Sequence, residues 1–156
     1  MSSENSRLYI PALGGIYSAL DGWAEPVLRI FVGIMLVPHG AQKLFGMFGG
    51  GGISGTAKFF ENFGYTPAVF WVLVVGCTEF FGGLAIAAGL FTRLAALFVV
   101  IQMSVFVLNF HMPNGYFLTA SNNGYEFTML WGIAALFFLV RGGGRFSLGA
   151  RMSKEF

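Results

Sequence analysis

Seven polar side chains interrupt an otherwise apolar chain at places where they could do chemistry: His39, Lys43, Glu79, Gln102, Asn109, His111 and Glu126. In "LVPHGAQKLFGMFGGGG", His39 and Lys43 stand four residues apart, on one face of any helix that holds them. Gln102 and Asn109, seven apart, also share a face. Glu79 lies among Gly76, Gly82 and Gly83, small residues that let a neighbouring helix come close enough for Glu79 to meet His39 or Lys43. A histidine and a carboxylate placed together can hydrogen-bond the oxygens of a quinone and exchange protons with it. The same residues could instead form a buried network that fixes helix register and binds nothing.

Other chemistries fit less well. His39 and His111 are the only histidines, and upright helices would put them roughly 9 Å apart in depth, which argues against two axial ligands on one haem. No metal site is expected, and no flavin, NAD or iron–sulfur pattern is present, so any redox centre other than a quinone must come from a partner. Cys77 is the single cysteine, which excludes an intramolecular disulfide and a CxxC redox pair. It is expected to be a packing residue. The run of glycines at 142–144 lacks the Lys and Ser/Thr of a phosphate-binding loop. It reads as a flexible exit into a basic tail that touches anionic lipid.

The elements that must position these residues follow from the solvent the chain is built for. Of 156 residues, 56% are hydrophobic and only 10% charged, against about 25% charged in a soluble domain. Mean hydropathy is +0.72. Most of this chain therefore faces lipid. The net charge of +2 is small and forms no nucleic-acid face. Four apolar segments are predicted to span, at about 26–45, 67–90, 93–112 and 125–140, against roughly 20 residues needed for a helical crossing. The fourth is short and is expected to begin a few residues earlier. The first 25 residues lack the basic head and apolar core of a cleavable signal. Leu13, Ile16, Tyr17, Leu20 and Trp23 recur there at helical spacing, as in an amphipathic helix lying on the membrane surface. Pro26 then suits the first turn of the next helix.

Four spans place Arg7, Arg29, Arg93, Arg141, Arg145, Arg151 and Lys154 on one side, and only Lys43 and Lys58 on the other. The positive-inside bias puts both termini in the cytoplasm. Arg29 and Arg93 fall at that boundary, where snorkelling to lipid phosphate is their ordinary role. On the outer side, "GTAKFFENFGYTP" follows a glycine-rich hinge and reads as a short interfacial helix. It either seals the bundle end or acts as a lid over a site opening outward. Counting residues along each span puts His39, Glu79 and Gln102 near mid-depth, and Lys43, Asn109, His111 and Glu126 towards the outer ends. Ionisable groups at such depth cost about 2.5–3.5 kcal/mol each, so they are expected to face inward and find partners.

Taken in order, "LRIFVGIMLVPHGAQKLFG", "GTAKFFENFG", "CTEFFGGLAIAAGLFTRLAAL", "GYEFTML" and "RGGGRFSL" resemble the DoxX family. The resemblance runs from about residue 28 to 148. It implies a small four-helix inner-membrane protein with Arg29, His39, Lys43, Glu79, Arg93 and Glu126 at the family's polar positions. It also implies kinship with subunits of thiosulfate:quinone oxidoreductases and of other membrane-linked oxidoreductase assemblies.

The sequence is therefore read as an all-α membrane protein, a bundle of four transmembrane helices with both termini inside. Its parts are an amphipathic segment at 1–25, a membrane domain at 26–141 and a basic tail at 142–156. The expected role is the membrane subunit of a quinone-linked oxidoreductase, with His39, Lys43, Glu79 and Glu126 catalytic and His39, Glu79, Gln102, Asn109 and His111 holding a quinone. Membrane lipids and other subunits, or further copies of the chain, are the expected partners. The competing role is a non-catalytic anchor or scaffold. A small-solute carrier is disfavoured, since neither inverted repeats nor a broken helix is visible.

Overall fold

The computed structural model describes residues 8–119 and 121–152; Arg7 and Lys154 of the expected basic side lie outside them. Helix dominates. After a 3-10 turn at Pro11–Leu13 come α1 (Gly14–Phe45), a 3-10 turn at Met47–Gly49, α2 (Gly52–Asn62), α3 (Ala68–Ala88) and α4 (Thr92–Asn114). A two-stranded hairpin, β1 (Leu118–Thr119) and β2 (Asn122–Asn123), then leads to α5 (Glu126–Arg141) and the short α6 (Leu148–Arg151).

The four long helices α1, α3, α4 and α5 run alternately up and down. One end of the bundle gathers the start of α1, the α3–α4 turn and the C-terminal segment; the other holds α2 and the hairpin. Two helices, α3 and α4, are long and apolar enough to cross a membrane, each with a mean hydropathy of 2.0. Only 33% of each apolar window is buried inside the fold. A soluble core helix of that hydropathy would be mostly buried. Here Phe70, Leu73, Phe81, Phe98 and Ile101 point outward, a surface suited to lipid and not to water.

Helix packing depends on paired small residues. Gly33 and Gly40 on α1 face Gly83 and Gly76 on α3 in antiparallel register. A Cβ at Gly40 would sit 2.7 Å from Phe80 Cβ and 2.8 Å from the Gly76 carbonyl oxygen, and one at Gly83 would sit 2.7 Å from the Gly33 carbonyl oxygen. The helices touch backbone to backbone, the small-residue contact that membrane helices favour. One core cluster joins Leu36, Ile86, Val99, Trp131 and Phe138. A second, under α2, joins Phe60, Val72 and Phe110, with Phe59, Phe60, Phe63, Tyr65 and Phe106 all in ring contact with Phe110.

Three expectations need correction. Helix α1 does not restart at Pro26. It runs through both Pro26 and Pro38 for 32 residues, about 48 Å. Contacts from the C-terminal segment brace it around Pro26: Trp23 stacks on Phe146 at 5.2 Å, and the Phe146 carbonyl accepts from Arg29. The fourth helix does not begin early. The backbone N–H groups of Tyr125 and Glu126 donate to the carbonyls of Gly115 and Tyr116, which folds the preceding residues into the hairpin region and leaves α5 16 residues, about 24 Å. The glycines after α5 are not a loose exit either. Gly142 and Gly143 are buried, Ser147 caps α6 by accepting from Ala150 N–H, and Gly149 N–H donates to the Gly89 carbonyl. Gly89 has φ +70, and a Cβ there would lie 2.6 Å from Arg29 Nη1 and 2.8 Å from Ser147 Cα. Only glycine permits both that turn and that docking.

Candidate functional site

Glu79 lies in a π-helical turn, Thr78–Gly82, that interrupts α3. Such a turn inserts an extra residue, swings side chains off the α-helical stripe and recurs at functional sites. Here it points Glu79 inward, 3% exposed. From the last turn of α1, Lys43 Nζ reaches Glu79 Oε2 at 2.6 Å. From α4, Gln102 Nε2 donates to Glu79 Oε1 at 2.7 Å. One carboxylate thus ties three helices, and the close approach at Gly40 and Gly76 brings Lys43 over it. Lys43 Nζ also lies 3.4 Å from the His39 carbonyl oxygen. Gln102 Oε1 is buried with no hydrogen-bond partner.

Beside this network is a cavity of about 270 Å³ whose wall includes His39, Lys43, Glu79 and His111. His111 lies in the second π-helical turn, Val107–His111, and its Nδ1 is 2.8 Å from the Asn123 carbonyl oxygen. The two histidines expected at different depths therefore border one space. Phe106, Phe127 and Trp131 supply aromatic walls. The hairpin covers it through Leu118, Asn123 and Gly124. Sequence inspection missed these residues, since a hairpin this short has no periodicity to announce it. The cover is accordingly the hairpin and not α2, whose phenylalanines are spent on Phe110.

Two expected site residues stand elsewhere. Asn109 is exposed and donates to the Val105 carbonyl of its own helix at 3.0 Å. Glu126 accepts from Leu118 N–H at 2.8 Å and lines a neighbouring surface hollow with Tyr116 and Leu130. It shapes the cover and does not touch the cavity. Cys77, expected to be a packing residue, is exposed. Among the described residues, no group of three or more His, Cys, Asp or Glu side chains could hold a metal ion.

At the opposite end, Arg29 departs from the snorkelling expected of it. It is 1% exposed. Nη1 donates to the carbonyls of Ile86 at 2.8 Å and Ala87 at 2.6 Å, and Nη2 to Phe146 at 2.9 Å. The Ile86 and Ala87 carbonyls belong to the last turn of α3, where carbonyls outnumber helical donors, and Phe146 precedes α6, so Arg29 caps α3 and fastens the C-terminal segment to it. A signal was available: Arg29, Gly33, Leu36, Gly40 and Lys43 fall on one helical stripe, and the glycines mark that stripe as the packed one.

The DoxX family model matches residues 26–112, from the proline inside α1 to the end of the second π-helical turn. The chain belongs to the DoxX family. That match contains Arg29, His39, Lys43, Glu79, Gln102 and His111, and stops before Glu126. The chain is also 29% identical over 133 residues to an uncharacterized protein of Haemophilus influenzae, covering 82% of this chain and 90% of the relative. No solved structure matches it. As a DoxX protein, the chain is an integral membrane protein.

Proposed function

We propose that this DoxX protein is the membrane subunit of a quinone-linked oxidoreductase, with the quinone head group seated in the His39–Lys43–Glu79–His111 cavity. The observation that carries the reading is the cavity itself: a small space where hydrogen-bond donors meet aromatic walls. Its volume, about 270 Å³, lies just below the 300–1,000 Å³ of ordinary ligand pockets, which suits a single ring. The Lys43 ammonium and the imidazoles of His39 and His111 supply donors for quinone oxygens. Glu79, bonded to Lys43, is a proton relay to that oxygen. Electrons come from a partner subunit.

The topology belongs to the same proposal. All four long helices cross the inner membrane, with both termini in the cytoplasm and the hairpin outside. Arg93, Arg141, Arg145 and Arg151 collect at the terminal end, as the positive-inside bias requires. At about 48 Å, α1 exceeds the roughly 30 Å hydrocarbon core, so its amphipathic first turns, residues 14–25, extend into the interface.

The scaffold alternative has one observation of its own: both Glu79 oxygens are already satisfied by Lys43 and Gln102. The two readings separate on protein extracted gently from its native membrane, with bound small molecules identified by mass spectrometry. The quinone reading expects near-stoichiometric quinone that disappears in Glu79→Gln while assembly persists. A quinone-free preparation held tightly to another subunit would leave the polar network as structural glue.

A further inference from the structure

A quinone that lives in a bilayer carries a long apolar chain, and a head-group site must leave that chain a way into the lipid. A second space in this fold has the right position. Along the lipid-facing seam of α4 and α5 runs an apolar groove of about 330 Å³, lined by Ser104, Val107 and Leu108 on one side and Gly132 and Ile133 on the other. Met103 and Thr128 line both this groove and the polar cavity. Both are buried, at 6% and 7% exposure, so together they form the thin partition between the two spaces. The groove opens outward: Leu108 is 60% and Ile133 56% exposed. It extends from Val100 to Leu108 along α4, about 12 Å.

We propose that this groove is the path by which the isoprenoid tail of a long-chain quinone leaves the polar cavity for the lipid, making the ligand class a prenylated bilayer quinone and not a small soluble one. The proposal rests on the quinone reading above. Its logic is access more than affinity. A tail moved from lipid into an apolar groove gains no hydrophobic free energy, because the surrounding chains are as apolar as the groove wall. The groove instead permits the head group of a tailed molecule to sit behind that partition. Met103, unbranched and with three rotatable bonds, can swing aside as the chain passes. Gly132 keeps the seam open: a Cβ there meets only Met103 Cβ, at 3.4 Å, so space lies beyond it that a larger side chain would fill.

The test uses the full chain in lipid nanodiscs, loaded at a fixed quinone-to-lipid ratio with a long-chain prenylated benzoquinone or its tail-less counterpart. Retained quinone is extracted and quantified. Each variant is compared with the wild type for the same quinone, which cancels partitioning into lipid. Gly132→Leu and Ser104→Leu fill the groove from opposite walls, so a folding failure in one leaves the other. Gly132→Ala serves as the control that should behave as wild type. Both leucine variants are expected to lose about ten-fold in retention of the prenylated quinone while holding the tail-less one as the wild type does. Undiminished prenylated quinone in both, or equal loss of the two quinones, overturns the proposal. So does a wild type that holds the tail-less quinone alone, which would leave the head-group site standing. A wild type that holds neither overturns the quinone reading and the tail path with it.

Discussion

Arg29 and Lys43 stand on the same face of α1, 14 residues apart, each a cation carried into an apolar fold. Their surroundings differ in kind. Arg29 is spent on backbone: three carbonyls accept from it, and it is 1% exposed. Lys43 meets a carboxylate, keeps a side chain 21% exposed and borders a cavity shared with two histidines. A guanidinium fork that bonds backbone carbonyls of two segments is a fastening. An ammonium–carboxylate pair beside a void, with aromatic walls and a thin cover, is equipped to meet a ligand. Charge and depth alone do not separate the two. The partner type and the neighbouring space do.

Breaking the fastening should produce the largest effect. Arg29→Met removes three charge-assisted hydrogen bonds and takes from the Ala87 and Phe146 carbonyls their side-chain donor, at about 1–3 kcal/mol for each group left unsatisfied. The expected outcome is a large loss of thermal stability in detergent, about 3 kcal/mol or more, and faster proteolysis of the C-terminal segment after Arg141. Wild-type stability and protease resistance would remove Arg29 from its structural role. Next comes the glycine contact that sets Lys43 over Glu79. Gly40→Ala forces a Cβ against Phe80 and the Gly76 carbonyl and should cost about 1–3 kcal/mol through overpacking. Gly82→Ala, with nothing within 4 Å of its added Cβ, should change stability by less than about 0.5 kcal/mol. Equal effects in thermal denaturation would refute the paired-glycine interface.

The pair itself gives a subtler comparison. Lys43→Met strands the Glu79 carboxylate, whereas the double variant Lys43→Met with Glu79→Gln replaces the pair by neutral groups. The double variant should therefore be the more stable of the two, and a double-mutant cycle reads the coupling. Additive effects would show that the pair contributes no coupling. The smallest pair of effects is at the cavity's outer end. His111→Ala should weaken quinone retention, while Asn109→Ala should leave retention and stability unchanged, since Asn109 bonds only its own helix. Equal effects of the two would mean that His111 is no nearer the ligand than Asn109.

Much of this arrangement was legible in the residues. The lengths of the apolar runs located α3 and α4 to within a few residues. The Gly76–Gly83 neighbourhood announced the close helix contact that delivers Lys43 to Glu79. What escaped had no local signature. The π-helical turns at Glu79 and His111 rotate side chains off the regular stripe, so counting along an ideal helix did not reveal that His39 and His111 border one space. The hairpin cover is held by hydrogen bonds among residues 114–126, including Asn122 Nδ2 to the Asn114 carbonyl, contacts that no periodicity encodes. Glu126 was assigned by its depth, yet a helix-opening carboxylate beside free backbone N–H groups is readily spent on the loop before it. Arg29 was assigned by its position near a membrane boundary, and only the glycine stripe it shares would have pointed it inward.

The most direct test of the central claim is photo-crosslinking with a benzoquinone bearing a photoreactive group on its ring, applied to the wild type and to Glu79→Gln in bilayers, with labelled sites mapped by mass spectrometry. The account predicts labelling concentrated on the cavity walls, at Phe106, Phe127 or Trp131 and the hairpin residues 118–124, and its loss in Glu79→Gln. Labelling scattered over the lipid-facing phenylalanines and unchanged in Glu79→Gln would contradict it.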